Sequence, residues 1–136
     1  METSLKTNFT LSALWQFILL NIIFRDIHQM TMKSHLEMLL TGTYYGTVIT
    51  DEIMLLGGFL VEIPIAMFLC SLLLKRELNR TLNMITSVLM VGVLLAELPS
   101  DMDDVFFKII EFVAVGFIFW ISLKWKADSK LSTAKA

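Results

Sequence analysis

Eight polar side chains interrupt long apolar runs in this 136-residue chain: Gln16, Asn21, Arg25, Asp26, Glu62, Glu97, Lys108 and Glu111. In hydrocarbon, a charged group at a helix centre costs at least about 2.5–3.5 kcal/mol. Such groups therefore turn toward one another or toward a polar cavity. There they can hold a proton, a cation or a small polar molecule. Other chemistries lack their residues. No GxSxG elbow, GxGxxG turn or P-loop occurs. The histidines, His28 and His35, form neither HxxxH nor HExxH, so no metal site is expected. The lone cysteine, Cys70, excludes an internal disulfide and a CxxC redox pair. No catalytic residue and no cofactor is expected.

Glu62 is the most informative of the eight. It lies in Glu62-Ile63-Pro64, and Pro64 leaves the carbonyl of Leu60 without its helical partner. Gly58 and Ala66 share its face at i−4 and i+4 and leave room for a neighbour. The position is about 18 Å along its helix, near the membrane midplane. Glu62 is expected to point into the bundle, either as a ligand or proton site or as a protonated carboxyl bonded across a helix interface. Arg25 and Asp26 fall near the outer end of the first run, with Asn21 and His28 on the face of Arg25. Arg25 either joins a polar stripe or reaches the headgroups. Glu111 pairs with Lys108 at i−3 or meets Arg25 across the bundle. Glu97 reads as an end-of-helix carboxylate in water. The expected ligand-binding set is Glu62, Glu111, Asp26, Asn21 and Arg25, lining a pocket that opens outward with Glu62 at its floor.

The elements that must position these residues follow from composition. Hydrophobic residues make up 56 % of the chain and charged residues 18 %, where soluble domains carry roughly 25 % charge. A bilayer core takes about 20 mainly apolar residues as helix. Four runs qualify, at residues 11–28, 50–74, 81–98 and 105–123, and none alternates with the period of a strand. The first could be a cleaved signal peptide, but Arg25-Asp26-Ile27-His28 follows it without a small-x-small site, so it reads as a retained span. The expected fold is all-α, an integral membrane, antiparallel bundle of four transmembrane helices in a single domain, 1–136. A short interfacial helix is expected at Lys33–Leu40 in the first outer loop, followed by a turn from Gly42 to Gly46. The Lys75–Arg80 turn makes the second and third spans neighbours.

Orientation follows from the basic residues. Eight of them (Lys6, Lys75, Arg76, Arg80, Lys124, Lys126, Lys130 and Lys135) fall on the side of the termini and the Lys75–Arg80 turn, and three (Arg25, Lys33 and Lys108) on the other. Both termini are thus expected in the cytoplasm, with a basic tail at 124–136. Trp15, Trp120 and Trp125 are expected at the cytoplasmic interface. The net charge of −2 argues against nucleic acid as a partner.

Leu14-Trp15, Asn21 and Asp26, then Glu62-Ile-Pro-Ile-Ala-Met67, Asn79-Arg80 with Asn83, Glu111 and Lys124-Trp125-Lys126 form an ordered set. The set resembles a family of small four-span bacterial membrane proteins of unknown function, over residues 11–126. That resemblance implies a bacterial inner-membrane location and supplies no activity. Two function classes stay open. One is a small-molecule or proton-binding membrane protein, with a link to transport. The other is an accessory subunit that packs against a partner or a second copy through Gly57, Gly58, Gly92 and Ala96. A quinone-linked redox enzyme is the weakest alternative, because paired cysteines are absent.

Overall fold

The structure, a computed structural model, describes residues 2–44, 46–96 and 101–125. Four helices are long and apolar enough to cross a membrane: α1 (Glu2–Met30), α3 (Asp51–Leu73), α4 (Arg76–Ala96) and α5 (Met102–Lys124). The short α2 (Lys33–Leu40) occupies the range expected for the interfacial helix. A two-stranded antiparallel hairpin, β1 (Thr43–Tyr44) and β2 (Thr47–Val48), follows it and pairs Thr43 with Val48. Gly42 and Gly46 take φ of 72° and 80°, which a side chain would resist. They fold this Thr- and Tyr-rich segment back on itself.

The helices start and stop for local reasons. Thr50 caps α3 by accepting from the Ile53 N–H at 3.4 Å, and Asp101 caps α5 by accepting from the Asp104 N–H at 2.8 Å. The first span begins earlier than its apolar run, because nothing in residues 2–10 breaks a helix and Leu5 and Phe9 continue it at i, i+4. The third likewise begins at Arg76, directly after the two-residue connection Leu74-Lys75. α3 runs unbroken through Pro64, which is buried. The Glu97 expectation and the tail from residue 126 lie outside the described residues.

α1 packs against α3 and α5, and α4 packs against α5, while the α3–α4 contact is lighter. The interior is layered along the bundle axis. Trp15, Ile18, Met67, Val115 and Ile118 form an apolar middle layer. Polar groups gather above it, at the end that carries the hairpin, and below it, at the Leu74-Lys75 turn. Trp15 corrects an expectation. It is fully buried in this layer, not at an interface, and its indole Nε1–H donates to Asn83 Oδ1 at 2.6 Å.

Candidate functional site

The buried stripe of α5 is Asp104, Lys108, Glu111, Val115, Ile118 and Ser122, spaced by alternate fours and threes. One face of one helix thus carries charge over its first three turns and apolar side chains next. α1 runs antiparallel and brings Asn21, Arg25 and Gln29, all buried, to the same end. Arg25 stands between the carboxylates. Its Nη1 lies 3.8 Å from Asp104 Oδ1 and 3.7 Å from Glu111 Oε2, while its Nε lies 3.7 Å from Asp26 Oδ1. Glu111 is fully buried and Lys108 nearly so. The headgroup position open to Arg25 in the sequence is therefore not taken: the guanidinium turns inward. A separate contact ties the rims of the two helices, where His28 Nδ1 meets Asp103 Oδ2 at 2.5 Å.

This cluster forms one wall of a cavity of about 780 Å³ at the hairpin end. Arg25, Asp26, Gln29, Asp104, Lys108 and Glu111 supply the polar wall. The facing wall is apolar and comes from α3 (Gly57, Leu60, Val61) and α4 (Met90, Val93, Leu94, Ala96), with Tyr44 and Thr47 of the hairpin at its rim. At the opposite end α3 and α4 are joined by the Leu74-Lys75 connection and by Ser71 with Asn79 and Asn83.

Of the five residues the sequence singled out, Arg25, Asp26 and Glu111 line this cavity. Asn21 does not. It borders a separate, mainly apolar groove beside Phe17, Phe24 and Phe107. Glu62 is the larger correction. It is exposed on the outer face of α3 and forms no floor. Pro64, Met67 and Ser71 turn inward and fix the rotation of the helix. Glu62 precedes Pro64 by two residues, about 200° around the axis, so it faces away. Asp104, Lys108 and Gln29 complete the wall and were not in the expected set. The i, i+4, i+7 spacing of Asp104, Lys108 and Glu111 was the signal that could have found them.

The amides, Ser12, Ser71 and the arginines at the turn end are engaged in hydrogen bonds. Asn83 Nδ2 donates to Asn79 Oδ1 at 2.6 Å and to Ser71 Oγ at 3.3 Å, and Asn79 Nδ2 donates to the Ser71 carbonyl at 2.7 Å. Ser12 of α1 donates to the Phe68 carbonyl at 3.0 Å. Arg80 Nε donates to the Ser122 carbonyl at 2.9 Å and Arg76 Nη1 to the Trp125 carbonyl at 3.3 Å. The first two turns of α4 thereby donate to carbonyls at the end of α5, and the Ser122 carbonyl also accepts from the Trp125 N–H at 3.4 Å. These groups hold the bundle closed, and the cavity lies at the other end.

No curated protein and no solved structure matches the chain. A family model does match, over residues 1–132, under the description "Family of unknown function (DUF6326)". The matched range takes in every described helix, the cavity wall and the turn-end network, and the chain, with its four helices long and apolar enough to cross a membrane, belongs to that family.

Proposed function

We propose that the protein binds a small polar solute carrying positive charge in the cavity at the hairpin end. The observation that carries this reading is the cavity wall itself: Asp26, Asp104 and Glu111 stand against Arg25 and Lys108 in spans that are mainly apolar. Carboxylates exceed cations by one on that wall, so a cationic or zwitterionic head completes the balance. The apolar wall of α3 and α4 accepts the methyl or methylene groups of such a molecule. A volume of about 780 Å³ falls in the range of small-molecule sites, roughly 300–1,000 Å³. Beneath the cavity, Trp15, Ile18, Val115 and Ile118 are fully buried and fill the bundle. This favours binding over passage through the bundle in this conformation. The excess of basic residues at the turn end supports a cytoplasmic side there, so that the cavity faces outward. The location proposed is a bacterial inner membrane.

Tetramethylammonium tests the charge preference. Thermal unfolding in detergent is expected to shift upward as its concentration rises, since a ligand that binds only the folded state stabilises it by mass action. The shift is expected to vanish in Asp26→Asn and to persist in Lys33→Ala, which removes an exposed lysine that does not line the cavity. An equal shift in the wild type and in Asp26→Asn would sink the reading.

A further inference from the structure

A buried primary amide needs partners at both ends, because its NH2 donates and its carbonyl accepts. Asn79 and Asn83, buried at the turn end, find them in Ser71, in Trp15 and in each other. Gln29 is buried to a similar depth and does not. The residue is 9 % exposed, it borders the cavity, and its side chain forms no hydrogen bond among the described residues. The geometry of α1 says what stands beside that amide. Gln29 follows Arg25 by four residues and Asp26 by three, so the three share one face at the cavity. Arg25 is taken up by the carboxylates around it. The Asp26 side chain is half-exposed and also borders the cavity. Neighbours at i, i+3 hold their Cβ atoms about 5–6 Å apart. A positive group at Asp26 therefore has the Gln29 amide next to it, with a donor and an acceptor both on offer.

We propose that Gln29 reads a hydroxyl on the solute, and that the ligand class is a hydroxyalkylammonium: the charged nitrogen at Asp26 and a hydroxyl two carbons away at Gln29. This rests on the cationic-solute reading above and adds the group beside the charge. The chemistry of the amide selects the hydroxyl. A hydroxyl both donates and accepts, so it can serve the carbonyl and the NH2 of Gln29 alike. A carboxylate only accepts; it leaves the amide carbonyl unmatched and puts a second negative charge beside Asp26. An alkyl group serves neither end, and a buried polar group left unpaired keeps the full cost of its desolvation. The apolar side chains across the cavity, Leu60, Val93 and Leu94 among them, face the substituents on the nitrogen.

The test follows thermal unfolding of the full chain in a maltoside detergent against three trimethylammonium compounds of similar size. Choline carries the hydroxyl, propyltrimethylammonium has a methyl group in its place, and trimethylglycine ends in a carboxylate. Choline is expected to bind the wild type about fivefold more tightly than the propyl compound, the worth of one net hydrogen bond, and more tightly than trimethylglycine. In Gln29→Met, choline is expected to lose that advantage while the propyl compound binds at least as well as before. The wild-type comparisons need no variant and decide the matter even where Gln29→Met does not fold. Equal binding of choline and the propyl compound to the wild type would leave the amide to water and overturn the proposal. So would tighter binding of trimethylglycine than of choline, or a folded Gln29→Met that keeps the preference. Each of these leaves the cation reading standing, whereas no shift with any of the three compounds removes that reading and this proposal together.

Discussion

Arg25 is the residue on which the polar end of the bundle turns. It lies within 4 Å of three carboxylates, on its own helix and on α5. Removing one member of a buried ion cluster leaves the others uncompensated, which costs roughly 3–5 kcal/mol. Arg25→Met is therefore expected to lower the unfolding free energy in mixed micelles by about that amount, and Glu111→Gln by less. A double-mutant cycle between the two is expected to return a coupling above about 0.5 kcal/mol. Coupling of Glu111 to Lys108 alone would contradict the cross-bundle arrangement. At the turn end, Asn83→Leu removes the centre of the amide network, and the expected loss is about 1–2 kcal/mol, read by the same unfolding assay. The residue scale is also where the sequence was hardest to read. The charges near the end of α1 and the start of α5 were legible, because depth alone brings antiparallel helix ends together. Glu62 was not, because its direction depends on the rotation of α3, and that is set by Pro64, Met67 and Ser71 packing inward. An apolar helix with no polar face gives no sign of which side is inside.

The elements were nearly all present in the apolar pattern. α2 and the turn between Gly42 and Gly46 fall where Lys33–Leu40 and the paired glycines place them. The starts of α1 and α4 were not legible from hydropathy, because both helices extend past the apolar run into polar sequence that still favours helix. For α4 that extension has a purpose in packing: its first two turns carry Arg76 and Arg80 to carbonyls at the end of α5 and its C-cap. Arg80→Ala is expected to release the end of α5, raising hydrogen exchange at residues 121–124 while leaving the first turns of α5 protected. The local cost is about 1–2 kcal/mol, typical of a hydrogen bond from a charged group. Equal protection in the variant would show that Arg80 adds nothing to the α5 terminus.

At the scale of the whole molecule, the two polar ends divide the labour. At the turn end, hydrogen bonds join α1 to α3, α3 to α4 and α4 to α5. The hairpin end keeps its charges around open space. Orientation in the membrane decides which side that space serves. With Cys70→Ser, Lys33→Cys beside the hairpin is expected to react with an impermeant thiol reagent in intact cells, and Lys75→Cys at the turn is expected to react only after lysis. Reversed labelling would turn the cavity toward the cytoplasm. The central claim, that the cavity holds a small positively charged solute, is tested most directly by native mass spectrometry of the protein released from its own membranes. The expected result is a small adduct on the wild type that is lost in Asp26→Asn, with both proteins folded. A wild-type spectrum without any small adduct, or one identical to that of Asp26→Asn, would contradict it.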